Sequence, residues 1–226
     1  PSNGILANGD WFRFQTPEEG IYKIDRNTLN SIGINPDQVD PRNIKIYNNG
    51  GYMLSEAVPD EVPVCLTESA IEVVGESDGK FDENDYVLFY GRGVNFWEYD
   101  AERNKIVRRK HYFSDKNYYY INADEGNGKR VNIIQSENTS SAFKQDMTES
   151  FAFHDENKIN VLSSGRIYFG DTFSSSDNSF TYISSLGNIV AGNKLNYNFQ
   201  FANVSLKSIQ LKIYENDNKI YSSYLS

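Results

Sequence analysis

Apolar and polar residues alternate along several short runs of this chain, with the period of two that a strand needs when only one face is buried. Asn43-Ile44-Lys45-Ile46-Tyr47 is one such run. Near the other end, Ile209, Leu211 and Ile213 fall on one face of a strand, and Ser208, Gln210 and Lys212 on the other. Residues 10–15 and 20–25 are expected as a hairpin, turning through residues 16–19 with Pro17. Two further hairpins are expected: 96–100 with 105–109, and 117–121 with 130–134 across Gly126-Asn127-Gly128. One short helix is predicted over residues 26–32. Asp25 is its natural N-cap, Leu29 and Ile32 share a face, and Gly33 can end it. Residues 53–70, with Pro59 and Pro63, read as a surface excursion, and residues 136–150 lack either period and read as a loop. Strands are expected at 195–203, 207–214 and 219–224, three strands with no second sheet to cover them.

The predicted architecture is therefore all-β. A β-sandwich-like N-terminal domain with one short helix spans 1–135, and a long connecting segment, 136–173, packs on it. The start of a second, truncated β-sandwich-like domain follows over 174–226.

Residues 71–75 and 86–91 form a strand–turn–strand unit around an acidic turn, Asp78-Gly79-Lys80-Phe81-Asp82-Glu83-Asn84-Asp85. Glycine reaches positive φ without steric cost, and aspartate can bond its own backbone, so Asp78-Gly79 supplies the turn. Calcium is the functional alternative. With Gly79 at the sixth position of an EF-hand-type loop, Asp78, Asp82 and Asp85 fall on the fifth, ninth and twelfth, and Glu76 on the third. Val74 then stands at the first position, where it offers no side-chain oxygen. Asp78, Asp82 and Asp85 are the candidate ligands for a structural calcium ion, against a turn satisfied by its own hydrogen bonds.

Composition narrows the class. The chain has 226 residues, enough for one large or two small domains, and its 16 Tyr and 14 Phe favour strands. A mean hydropathy of -0.60 and the lack of a long apolar run exclude a membrane-spanning helix. A net charge of -9 speaks against a nucleic-acid groove. The chain opens on Pro1-Ser2 without a signal-peptide pattern, so it reads as an excised part of a longer protein from which any targeting segment would have been removed.

Candidate chemistry is sparse. Cys65 lies in an apolar, proline-flanked context and is expected as a small buried hydrophobe. His111 and His154 belong to no catalytic motif, and three scattered Cys and His residues do not make a zinc site. No phosphate-binding loop occurs. Tyr90, Phe96, Trp97, Tyr99 and Tyr118 to Tyr120 could offer a glycan platform, though the same alternation describes a sandwich core and its rim.

An ordered series of blocks carries a resemblance. Gly9-Asp10-Trp11-Phe12, Glu19-Gly20-Ile21-Tyr22-Lys23-Ile24-Asp25 and Leu29-Asn30-Ser31-Ile32-Gly33-Ile34 come first. Asp40-Pro41-Arg42-Asn43-Ile44-Lys45-Ile46-Tyr47, Asn49-Gly50-Gly51, the acidic turn to Phe89-Tyr90-Gly91, and Tyr112-Phe113-Ser114-Asp115-Lys116-Asn117-Tyr118-Tyr119 follow. The series closes on Leu162-Ser163-Ser164-Gly165-Arg166-Ile167-Tyr168-Phe169-Gly170. These blocks resemble the N-terminal region of the PorU family, the gingipain-like cysteine peptidase/sortases of the type IX secretion system of Bacteroidetes. The resemblance implies a parent at the cell surface, exported by a signal peptide and held at the outer membrane by a barrel partner of the PorV type. Such a parent removes C-terminal sorting domains from secreted cargo and attaches the cargo to the surface. The family's catalytic His and Cys lie downstream of the matched region, so neither Cys65 nor His154 inherits a catalytic role. The implied role of this segment is scaffolding or docking, with a glycan-binding or purely structural β-module as the alternative.

Overall fold

The computed structural model describes residues 4–54, 65–135, 146–161, 163, 165, 167–184 and 186–226. Most of the predicted excursion at 53–70 and of the loop at 136–150 lies outside the described residues. By contacts the chain divides into two compact units, Pro1–Glu137 and Asn138–Ser226. Residues 138–173, expected as a connecting segment, fall in the second of these.

Two antiparallel sheets enclose the core of the first unit. One orders its strands β1 (Phe12–Thr16), β9 (Asn117–Asn122), β3 (Lys45–Asn48) and β4 (Thr67–Ser69). The other orders β2 (Gly20–Asp25), β6 (Tyr86–Gly91) and β5 (Glu72–Val74). The core sits between them. Ile24, Val73, Val87 and Phe89 from the smaller sheet meet Ile46, Tyr119 and Ile121 from the larger, and Leu29 and Phe81 belong to the same cluster. Phe89 is the ring at the centre, 5.4 Å from Phe14, 5.5 Å from Tyr22 and 5.2 Å from Tyr119 between centroids. Face-to-face sheets that interdigitate aromatic and β-branched side chains make a sandwich.

The helix α1 (Arg26–Ile32) forms as its caps demand. The Asp25 carboxylate accepts the Thr28 amide at 2.9 Å, and Gly33 ends the helix at φ 99°. The strand–turn–strand around the acidic turn is also as expected, β5 lying antiparallel on β6 with Val73 opposite Val87.

Two expected hairpins do not form. β1 and β2 follow one another in sequence but enter different sheets, β1 pairing with β9 and β2 with β6. Phe14 and Tyr22 both face Phe89, so the turn at 17–19 carries the chain around the core from one sheet to the other. The pairing of 117–121 with 130–134 fails because β9 has β1 on one edge and β3 on the other, leaving no edge for a third strand. Arg130 instead bridges Ile71, in parallel. β7 (Phe96–Asp100) and β8 (Lys105–Arg109) do form the predicted hairpin, as a separate two-stranded sheet.

In the second unit, β10 (Ile209–Glu215) and β11 (Asn218–Leu225) pair antiparallel. Asn216 and Asp217 turn between them at φ 45° and 68°, the left-handed pair that suits a right-twisted hairpin. Residues 195–203 are not a strand of any sheet. Tyr197, Phe199 and Phe201 stack at 5.8 and 6.0 Å along this stretch, so alternation is present without a ladder. No helix among the described residues is long and apolar enough to cross a membrane.

Candidate functional site

The acidic turn is held by its own backbone. A short 3-10 turn, Glu76–Asp78, is bracketed by Gly75 at φ 93° and Gly79 at φ 77°. The Asp85 carboxylate is buried and accepts the Asp82 amide at 2.7 Å, while Asp78 accepts the Lys80 amide at 3.0 Å. A Cβ on Gly75 would stand 1.8 Å from Asp85 Oδ1, so only glycine lets the carboxylate lie against the chain there. Asp82 points to solvent. Among the described residues, these three carboxylates predicted as calcium ligands are not a group with one ligand atom each within 4.8 Å of the others. Two of them serve backbone amides, which is how a self-satisfied turn is built.

Arg130 anchors this turn to the rest of the unit. Its Nε donates to Glu76 Oε2 at 2.9 Å, and Nη2 pairs with the same oxygen at 2.8 Å. Nη2 also donates to the carbonyls of Pro41 (3.0 Å) and Arg42 (2.9 Å), and Nη1 to that of Ile44 (3.2 Å). One fork-shaped cation therefore ties three distant segments together.

A cleft of about 460 Å³ opens where β3, β4, β6 and β9 come together, lined by Asn48, Thr67, Ser69, Tyr90, Arg92 and Tyr119 among others. Its organising residue is Arg92, which follows β6. Buried polar groups clamp its backbone: Thr16 Oγ1 and Asn117 Nδ2 donate to its carbonyl at 2.9 and 3.0 Å, and its amide donates to the Tyr119 hydroxyl at 2.8 Å. Asn48 locks Asn117 in turn, donating to its Oδ1 at 3.0 Å and to the Tyr118 carbonyl at 2.7 Å. Burial pushes the Tyr119 phenol up, so it stays protonated. The Arg92 guanidinium lies over the Tyr52 ring, 5.3 Å from its centroid, and donates to the Tyr52 hydroxyl. Among the described residues it has no carboxylate partner.

A guanidinium whose backbone is held in this way, in a cleft that Thr67 and Ser69 also line, has the chemistry to pair with a carboxylate or a phosphate. The named lining residues offer no nucleophile paired with a base. Sequence reasoning missed the cleft because Thr16, Asn48, Arg92 and Asn117 lie far apart along the chain. The available signal was Asn48-Asn49-Gly50-Gly51, a turn-forming run directly after β3. A Cβ on Gly51 would fall 2.3 Å from the Asn117 amide, so that glycine belongs to the same network.

The remaining candidates stand apart from this cleft. Cys65 is exposed rather than buried, because it precedes β4, an edge strand with sheet on one side only. His111 Nδ1 accepts the amides of Phe113 (3.2 Å) and Ser114 (3.0 Å), which commits the ring to a turn. His154 lies in the second unit. On β7, Trp97 and Tyr99 are 36% and 59% exposed, two residues apart and so on one face. The Arg108 guanidinium lies 5.6 Å over the Trp97 ring, taking one face of the indole.

No family model matches the chain, and no curated protein matches it. Among solved structures, it is similar to the crystal structure of dimeric latent PorU from Porphyromonas gingivalis, with 17% identity and a TM-score of 0.41. The match covers 58% of this chain and 11% of that one, so the chain spans about a tenth of that protein's length. At that identity and TM-score the likeness by itself decides neither fold nor function.

Proposed function

We propose that this chain is a non-catalytic docking segment of a gingipain-like sortase of the type IX secretion system, and that it holds a partner through the Arg92 cleft. The ordered sequence blocks over residues 9–173 support the family context. The observation that carries docking rather than catalysis is the cleft itself, where a clamped arginine meets amides and hydroxyls without a nucleophile–base pair. Its partner presents a carboxylate or another oxyanion, since that is what a fixed guanidinium fork reads. The candidates are the secreted cargo with its C-terminal sorting domain and an outer-membrane barrel of the PorV type.

The test is a pull-down of each candidate with the 226-residue chain, alongside incubation with a sorting-domain peptide. Capture is expected, and Arg92→Ala should abolish it. The buried network grips only the Arg92 backbone, so that variant should fold as the parent does. Peptide cleavage that disappears in Cys65→Ala would overturn the non-catalytic reading, and capture unchanged in Arg92→Ala would overturn the cleft.

A second reading rests on β7. Trp97 and Tyr99 form an exposed aromatic pair on which a sugar ring could stack, although Arg108 leaves only one indole face for it. Glycan-array binding lost in Trp97→Ala would favour a glycan-binding module. The absence of binding to any glycan would remove that reading.

A further inference from the structure

A cluster in the second unit gathers groups of opposite charge outside anything described above. Ile159 and Phe169 exchange both backbone hydrogen bonds, at 2.9 and 2.7 Å, and so fix residues 154–159 beside 167–171. His154, Glu156 and Lys158 are spaced by two and converge. His154 Nε2 lies 3.8 Å from Glu156 Oε2, and the same oxygen pairs with Lys158 Nζ. From the facing segment, Asp171 Oδ1 accepts Lys158 Nζ at 2.8 Å. Tyr182 donates to Asp171 Oδ2 at 2.7 Å, and its ring centre stands 4.2 Å from that of His154.

We propose that His154, Glu156 and Asp171 form a binding site for a divalent transition metal of the zinc type, with Lys158 as a built-in cation that the metal displaces. One donor atom from each of the three lies within 4.8 Å of the others. Zinc bonds to nitrogen and oxygen at about 2.0–2.2 Å, so tetrahedral donors sit about 3.4 Å apart. Closing to that spacing requires rotamer changes, and the His154 and Glu156 side chains, 45% and 42% exposed, have room to make them.

Two carboxylates from different segments already share one cation, Lys158. Replacing a single positive charge by a double one completes their neutralisation, and the Lys158 side chain, 52% exposed, can swing into water. An imidazole beside two carboxylates suits zinc, with water as a fourth ligand, and distinguishes it from calcium, which takes oxygen. Tyr182 supplies the outer support, orienting both Asp171 and the His154 ring. Tyr182 already donates its hydroxyl to Asp171 Oδ2, which makes it a supporting donor.

The experiment is a zinc titration of the full chain in a Cys65→Ser background, because that exposed thiol binds zinc itself. Calorimetry and imidazole proton resonances are the two readouts. Only two histidines are present, and a His111→Gln variant assigns them. The expected result is one equivalent of zinc that shifts the His154 resonances and leaves those of His111 in place. Affinity should fall by about tenfold or more in Asp171→Asn and rise by about tenfold in Lys158→Met. Calcium in excess should not compete. No binding, a shift confined to His111, or an affinity indifferent to Lys158→Met would each overturn the proposal. The resonance readout needs no substitution at the site, so a variant that fails to fold does not remove the test.

Discussion

Arg130→Ala removes the clamp that joins the acidic turn to the loop before β3 and to the end of the first unit. Its cost can be worked from the bonds lost. Three are charged-donor bonds to the carbonyls of Pro41, Arg42 and Ile44. Two of those carbonyls keep a second partner, since Ile44 N donates to Pro41 O at 3.3 Å and Gly128 N donates to Arg42 O at 2.9 Å. The full penalty for orphaned acceptors therefore does not apply, and about 1 kcal/mol for each bond is appropriate. The pair with Glu76 is partly exposed, at 23% and 32%, and adds less than about 1 kcal/mol after screening. The sum is about 3–4 kcal/mol, or about 12 °C in melting temperature for a unit of this size. Both tryptophans, Trp11 and Trp97, lie in the first unit, so urea unfolding followed by tryptophan fluorescence reads that unit alone. Arg130→Lys keeps the charge but not the fork, and should lose about half as much. In a cycle with Glu76→Gln, the coupling should stay under about 1 kcal/mol. An Arg130→Ala cost below about 1 kcal/mol, or an Arg130→Lys protein as stable as the parent, would refute the clamp.

Gly75→Ala should cost about 2–3 kcal/mol by the same assay, since it adds a left-handed strain and a Cβ that collides with Asp85; a neutral result would mean the turn is built otherwise. Phe89→Ala should cost about 3–5 kcal/mol, the usual range for deleting a central core ring, with Phe89→Leu well below it. Acid should weaken the first unit through Asp25 and Asp40. The Thr28 backbone amide holds the Asp25 carboxyl below its model-compound value of 3.8, and the Arg42 side chain does the same for Asp40. Because both folded-state values are depressed, their contribution is complete above 3.8 and is lost as pH falls through the folded values. Melting temperature should therefore drop between about pH 5 and pH 2, less steeply in Asp25→Asn than in the parent. Calcium is expected to leave the tryptophan-monitored melt in place, because Asp78 and Asp85 already serve backbone amides; a rise that vanishes in Asp82→Ala would make the turn an ion site instead.

Local chemistry made part of this protein readable from its sequence. The helix at Arg26–Ile32 begins and ends where Asp25 and Gly33 place it, because a cap needs only residues a few positions away. The β7–β8 hairpin and the alternating strands β10 and β11 were legible for the same reason, as was β5 with β6 across the acidic turn. What each strand paired with was not. Period-two alternation says that a strand has one buried face, and is silent on which neighbour supplies its hydrogen bonds. Two pairings inferred from adjacency, β1 with β2 and β9 with residues 130–134, gave way to partners far away in sequence. The prior claim of β1 and β3 on both edges of β9 decided the second of these. The cleft was hidden for a related reason. Thr16, Asn48, Asn117 and Tyr119 act on Arg92 only once two sheets have closed on a shared core, and no spacing along the chain encodes that meeting. The sequence by itself determined caps, turns and faces, which are short-range matters of sterics and hydrogen bonding. The tertiary structure decided partners, the Arg130 clamp and the Arg92 cleft, because those depend on which buried surfaces exclude water together.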